Sequence, residues 1–83
     1  MIAMNQKTIF TKKYKSMIAS LTQLRKDNGM SQRELAKKLD VAHCCIGRIE
    51  TCERRLDILE LIKILKLFNL SDAQILDFIK QLL

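Results

Sequence analysis

Apolar residues recur along the chain at the spacing of an α-helix, in five consecutive segments. Positions i, i+3, i+4 and i+7 fall on one face of a helix, so each segment predicts a helix with a buried stripe. The apolar positions are Tyr14, Met17, Ile18, Leu21 and Leu24; then Leu35, Ala36 and Leu39; then Ile46 and Ile49; then Ile58, Leu61, Ile62, Leu65 and Phe68; and finally Ile75, Leu76, Phe78, Ile79, Leu82 and Leu83.

Capping residues mark where these predicted helices begin and end. The candidate N-caps of the first, second, fourth and fifth helices are Thr11, Ser31, Asp57 and Ser71. Glu34 follows Ser31 at the spacing of a capping box, in which each side chain accepts a hydrogen bond from the other residue's backbone. Gly29 supplies a left-handed C-cap after the first helix, and Asn69 ends the fourth. The third helix should run from about Ala42 to Thr51.

Composition supports a single all-α domain. The 83 residues contain two Gly and no Pro, and 48% of them are hydrophobic and 29% charged. Few helix breakers favour helices throughout, and the balance is that of a globular chain. A chain of this length builds one modest core. We therefore assign residues 1–10 to an N-terminal extension and residues 11–83 to one domain.

The chain offers no secretion signal and no membrane span, because Lys63, Lys66 and Asn69 interrupt its most apolar region. We therefore expect a soluble, cytoplasmic protein. An odd number of cysteines without a C-x-x-C pair favours reduced thiols over disulfides or zinc ligands. We expect no metal and no cofactor, and a small-residue role for the thiols rather than a redox switch. The cysteines are Cys44, Cys45 and Cys52.

The net charge of +6 is concentrated at the amino-terminal end. Residues 1–26 carry six bases and no acid, whereas residues 27–83 hold nine bases and nine acids. The six bases are Lys7, Lys12, Lys13, Lys15, Arg25 and Lys26. Such a flank suits a polyanion, either nucleic acid or an anionic membrane surface, but it is also typical of a solvated helix face.

Residues 32–51 together satisfy the geometric requirements of a helix-turn-helix. Ala36 is the small residue that two steeply crossing helices need where they touch. Asp40 stands where the turn needs a residue that tolerates positive φ. The apolar anchors are Leu35, Val41, Ile46 and Ile49. With these anchors inward, the polar side of the third helix is free to enter a major groove of DNA.

The chain resembles the Cro/repressor-type (XRE) helix-turn-helix family over roughly residues 14 to 76. The matching segments are Leu24-Arg25, Gly29-Met-Ser-Gln-Arg-Glu-Leu-Ala36, Ile46-Gly-Arg-Ile-Glu50 and Glu53-Arg-Arg-Leu-Asp57. The resemblance implies a compact five-helix, λ-repressor-like DNA-binding domain. It also implies a structural salt bridge between Arg25 and Glu50, which ties the first helix to the third.

The resemblance assigns DNA contacts to the helix-turn-helix and to the loop that follows it. Gln32 would contact a phosphate and brace the third helix. His43, Cys44 and Arg48 would face base edges, and Arg48 suits a bidentate contact to guanine. Gly47 would let the backbone approach closely. The full set is Gln32, Ala42, His43, Cys44, Gly47, Arg48, Thr51, Arg54 and Arg55, the last three being implied phosphate contacts.

The chain departs from the family pattern at four positions. The family usually has Gly where Asp40 and Cys52 stand, Ser or Thr where Ala42 stands, and often Pro where Leu56 stands. The first two departures raise the backbone cost of the turns, and Ala42 forfeits a cap worth about 1 kcal/mol. These departures predict a softer third helix with an unusual reading surface.

We predict a sequence-specific, double-stranded-DNA-binding transcriptional regulator that acts as a repressor and a homodimer. The fifth helix, about residues 71–83, has an apolar face broader than one packing partner covers, which favours self-association. A dimer would place two recognition helices in successive major grooves, about 34 to 36 Å apart. The expected dimer interface is Ile75, Phe78, Ile79, Leu82 and Leu83.

Two other functional classes are weighed against this prediction. The apolar fifth helix could instead bind a different protein, such as a toxin or a polymerase subunit, which would make the chain a protein-interaction module. Self-association would argue against that alternative. An enzyme has little support, because the chain has one His, no paired carboxylates on a common face and no Gly-rich phosphate loop.

Overall fold

The computed structural model describes residues 11–83 as five α-helices joined by short turns, without a strand in that range. The helices are α1 (Lys12–Asp27), α2 (Gln32–Leu39), α3 (His43–Glu50), α4 (Ile58–Leu67) and α5 (Asp72–Lys80). Their number, order and approximate bounds confirm the all-α, five-helix prediction. The N-terminal extension, with Lys7 of the basic flank, lies outside the described residues.

Side-chain caps begin four of the five helices. The Ser31 Oγ accepts a hydrogen bond from the Glu34 backbone at 3.0 Å, and the Glu34 carboxylate accepts one from the Ser31 backbone at 2.9 Å. This reciprocal box recurs at the start of α4 and of α5, while Thr11 caps α1. α3 is the exception, because Ala42 offers no side-chain oxygen. Its neighbours must therefore hold the beginning of α3 in place.

Four helices end at a residue in the left-handed region of backbone space. These residues are Gly29, Asp40, Cys52 and Asn69, with φ values of 66°, 58°, 61° and 60°. In each case the N–H of the next residue donates to a carbonyl five residues earlier, which is the Schellman arrangement. Glycine adopts this conformation without strain, Asp and Asn tolerate it better than most residues, and the others pay about 1 to 2 kcal/mol. Cys52, in the turn after α3, therefore carries more backbone strain than Asp40 in the turn of the helix-turn-helix.

One apolar core holds the helices together. It comprises Met17, Ile18, Leu21, Leu35, Ala36, Ile46, Ile49, Leu61, Ile64, Leu65, Phe68 and Ile75. The middle of α1 contributes together with α2 and α3, so the helix-turn-helix is supported from behind. Over residues 11–83, no helix is both long and apolar enough to cross a membrane.

The periodicity placed two residues of α4 wrongly. Ile58 was expected in the buried stripe, but 56% of its surface is exposed. Ile64, which the expected stripe omitted, is 1% exposed and lies in the core. Ile58 belongs to the first turn of α4 and lines a surface groove beside Arg54 and Leu56, one turn before the helix reaches the core. The periodicity was therefore right about a helix but wrong about where along it burial begins.

Candidate nucleic-acid interface

α3 presents one face to the core and the opposite face to solvent. Ile46 and Ile49 are buried, which fixes the rotation of the helix about its axis. Successive residues are about 100° apart around a helix, so Cys44, Arg48 and Thr51 lie on the side opposite these anchors. All three are exposed. The third helix therefore displays the face that the sequence assigned to a DNA groove.

The remaining residues assigned to base reading border this face. His43 is exposed at the first position of α3, and Ala42 is exposed just before it. Gly47 is half-buried on the same face as Arg48. Among residues 11–83, the Arg48 guanidinium makes no hydrogen bond or ion pair within the protein. Its five donors are therefore available to a ligand.

Gln32 connects the first position of α2 to the far end of α3. Its Nε2 donates to the Glu50 Oε1 at 2.8 Å. Its Oε1 lies 3.5 Å from the position that a Cβ on Gly47 would occupy, so the side chain crosses the contact between the two helices. A primary amide has two N–H groups. Gln32 therefore holds α3 with one N–H and keeps a second N–H available to a ligand.

Arg25 and Glu50 form a shielded ion pair behind the exposed face. The Arg25 Nε donates to the Glu50 Oε2 at 2.6 Å and its Nη2 to Oε1 at 3.1 Å, while Nη1 donates to the Met30 carbonyl at 2.6 Å. The two side chains are only 9% and 11% exposed. Bidentate geometry and the additional bonds compensate the two charges for lost water. One guanidinium thus joins α1, the start of α2 and the end of α3.

The loop after α3 contains the residues assigned to phosphate contacts, and two of them have partners within the protein. The Thr51 hydroxyl donates to the Glu53 carboxylate at 2.7 Å. Arg54 pairs with Glu60 through contacts of 3.3 and 3.1 Å. Arg55 is exposed, and among residues 11–83 its side chain makes no hydrogen bond or ion pair. Arg55 is therefore the loop arginine with its charge directed to solvent.

Glu53 and Glu60 are the site residues that the sequence reasoning missed. The signal for Glu60 was present, because it stands three residues after Asp57 in the spacing of a capping box. The hydrogen bonds to Glu60 raise the pKa of Arg54 above its usual value. Glu60 thus caps α4 and restrains Arg54 at the same time.

A hydrogen bond joins the start of α1 to this loop. The Leu56 backbone N–H donates to the Tyr14 hydroxyl oxygen at 3.0 Å. Proline, which often stands at this position in the resembling family, has no N–H to donate. Lys12, Lys13 and Lys15, which flank Tyr14 in α1, are exposed, and the Lys13 Nζ donates to the Leu83 carbonyl at 2.8 Å. The hydrogen bond from Leu56 to Tyr14 therefore fixes the start of α1 against the loop that contains Arg55.

The three cysteines are free thiols at different depths. Cys44 is exposed on the outward face of α3, whereas Cys45 and Cys52 are half-buried. Within residues 11–83, no three His, Cys, Asp or Glu side chains are grouped so that they could hold a metal ion.

The residues assigned to a dimer interface lie at different depths. Ile75 belongs to the core, and Phe78, Ile79 and Leu82 are half-buried against it. Leu83 is 88% exposed, and Leu76, which was not assigned to the interface, is 57% exposed. Ile58 and Leu59 form a second exposed apolar pair at the start of α4. A surface available to another chain therefore centres on Leu76 and Leu83 rather than on Ile75.

Comparison with known protein families finds one match. The helix-turn-helix family matches the chain over residues 21–75, a segment that runs from the middle of α1 into α5. No curated protein and no solved structure matches the chain.

Proposed function

The chain belongs to the Cro/repressor-type (XRE) helix-turn-helix family of DNA-binding transcriptional regulators, and from this premise we propose that it acts as a homodimeric repressor. The proposal assigns base reading to the outward face of α3 and phosphate binding to the residues around it. Repression follows if the bound protein occludes a promoter. The site of action is then the cytoplasm, where a regulator of this kind meets its DNA.

The observation that carries the proposal is the exposed Arg48 on an otherwise restrained helix. α3 is anchored by its buried isoleucines, by the Glu50 ion pair and by the amide of Gln32. A braced helix presents a side chain in a reproducible position, so little ordering is needed on binding. Arg48 contributes a bidentate contact to guanine, a pair worth about 1 to 3 kcal/mol of discrimination.

Phosphate contacts surround this reading residue. Gln32 and Arg55 are exposed and would bind phosphates, and the exposed Lys12 and Lys15 of α1 add positive charge to the surface. Such contacts position a protein on the duplex without reading its sequence. His43 and Cys44 complete the reading face, with Gly47 permitting close backbone approach.

The experiment begins with selection of bound sites from a random DNA pool, followed by anisotropy titration with the selected duplex and with a scrambled one. Arg48→Ala should weaken binding to the selected duplex by about tenfold to a hundredfold and leave the scrambled duplex nearly unaffected. Lys66→Ala is the matched control, because it removes one positive charge from the distant half of α4. Equal losses on both duplexes would refute base reading by Arg48.

The dimer is proposed on the apolar surface of α5. Leu76 and Ile79 lie one turn apart on α5, and the exposed Leu83 follows just after the helix, so a second copy can cover the three together. Sedimentation velocity should show a dimer that Leu76→Glu with Leu83→Glu converts to a monomer, whereas Ile58→Glu with Leu59→Glu leaves it intact. The reverse outcome would move the interface to the start of α4.

The same exposed leucines favour one alternative function, that of a protein-interaction module. In that case the isolated protein remains a monomer in sedimentation velocity, with Leu76 and Leu83 left exposed for a different partner. A monomer that also fails to select any DNA sequence would replace the repressor proposal with this one.

A further inference from the structure

A groove with an apolar floor and a basic rim lies between the last turn of α2 and the second half of α4. Its floor is formed by Leu39 and Leu67, and its rim by Lys38, Lys63 and Lys66. The groove has a volume of about 380 Å³, within the range of ligand-binding clefts. No acidic residue lines it.

The three rim lysines have no carboxylate partner within the described part of the chain. The ion pairs among residues 11–83 join Arg25 to Glu50, Arg54 to Glu60 and Lys80 to Asp77. Glu34, one turn before Lys38, is held in its capping box with Ser31. Lys38 still acts electrostatically on Glu34, but no carboxylate among the described residues forms an ion pair with any of the three ammonium groups around the apolar floor.

Helix dipoles account for only part of this arrangement. Lys38 and Lys66 stand in the last turns of α2 and α4, where a positive charge is favoured by the carbonyl end of a helix. Lys63 lies in the interior of α4, one turn before Lys66, so the dipole does not explain it. Like charges at this spacing repel each other in the free protein, and a bound anion would relieve the repulsion.

The groove lies away from the candidate DNA interface. Lys38 is six residues beyond Gln32 along α2, or about 9 Å along the helix axis. Lys66 is eight residues beyond the first residue of α4, or about 12 Å from the end that adjoins the loop arginines. Both helices start at the DNA-facing side and run towards the groove. A molecule bound there would leave the outward face of α3 free.

We propose that this groove binds an acidic, amphipathic segment of another protein, with aliphatic side chains on the leucine floor and carboxylates on the three lysines. Charge complementarity and the apolar floor select this occupant. A DNA backbone would use the lysines but not the leucines. The chain's own residues 1–10 carry Lys7 and no acid, so they lack the complementary charge.

The probe is a fluorescein-labelled synthetic peptide of Glu and Leu, with Leu at i, i+3, i+4 and i+7, titrated against the full chain. Lys63→Glu with Lys66→Glu should weaken peptide binding by about tenfold or more, and the neutral Gln pair should give a smaller loss. Lys12→Glu with Lys15→Glu, the matched control, changes the net charge equally on exposed positions of α1. It should change peptide affinity by less than about twofold.

Three further measurements define the outcome. A peptide with every Leu replaced by Ser should bind at least about tenfold more weakly, because the floor contributes apolar burial. The Lys63 and Lys66 variants should retain their unfolding temperature and their binding of the selected duplex. The proposal is overturned if the groove and control variants lose the same peptide affinity, or if the Ser peptide binds as tightly as the Leu peptide. Either result would mean that a basic protein attracts an acidic peptide without using the groove. So would a wild-type chain that does not bind the probe.

Discussion

Replacing Gly47 with Ala should strengthen the fold while weakening DNA binding. Gly47 lies in the interior of α3, where glycine costs about 0.5 to 1 kcal/mol relative to alanine. The added Cβ would meet only the Gln32 Oε1, at 3.5 Å, which is an ordinary van der Waals contact. No steric term therefore cancels the gain. The free energy of unfolding should rise by about 0.5 to 1 kcal/mol.

The assays are urea and thermal unfolding, both monitored by circular dichroism, and anisotropy titration on the selected duplex. For a domain of this size, the gain corresponds to an increase of about 2 to 8 °C in unfolding temperature. Binding should weaken by about tenfold, because the methyl group stands between the α3 backbone and the groove. In this one variant, the unfolding measurement tests the packing around Gly47 and the titration tests how closely the α3 backbone approaches DNA.

Gly29→Ala is the matched control for the stability result. Gly29 has a φ of +66°, and a Cβ there would meet no atom within 4 Å. The substitution should therefore destabilise the fold by about 1 to 2 kcal/mol through backbone strain alone. If Gly47→Ala also destabilises the chain, the described contact with Gln32 is wrong. If it stabilises the chain and DNA affinity is unchanged, the α3 backbone does not approach the duplex closely.

Arg25→Ala should lower the free energy of unfolding in urea by about 3 to 5 kcal/mol, because it leaves the shielded Glu50 without its main partner; a loss below about 1 kcal/mol would contradict this. Glu53→Gln should tighten DNA binding severalfold on selected and scrambled duplexes alike, since it removes a negative charge beside the phosphate contacts; unchanged affinity would place Glu53 away from the DNA. The hydrogen bond from the Ser31 backbone, followed by that of its side chain, lowers the pKa of Glu34 from its usual value. Stability from this group is present above its unfolded-state pKa and declines as pH falls through the folded-state value, so Glu34→Gln should flatten the acid limb of an unfolding-temperature profile.

The five-helix fold was predictable because its signals are local. Each helix has its own periodic stripe, and four of the five have a capping side chain within three residues of their start. The turn signals are local as well, because the position of Asp40 between the apolar stripes of two helices already places it in a turn. Hydrogen bonds over three to five residues depend little on the rest of the molecule, so they are encoded in short segments.

The positions of individual side chains in the site were less predictable. Thr51 and Arg54 were expected to face phosphate, yet the first donates to Glu53 and the second pairs with Glu60. Glu53 and Glu60 lie within six residues of the groups they bind, but closeness in sequence did not show which carboxylate each group would meet. The path of the loop after Cys52 decides which carboxylate each group meets. The assignment of Arg55 depends on the same path.

The sequence by itself determined the helices, their caps and the helix-turn-helix family, because these follow from short-range periodicity and hydrogen bonding. Only the tertiary structure decided which apolar residues are covered. Ile75 and Leu76 are adjacent in one predicted stripe, yet the first is in the core and the second is exposed. Burial depends on where neighbouring helices end and how each is rotated. The same dependence gathers lysines from α2 and α4 around one groove, which no single segment of the chain encodes.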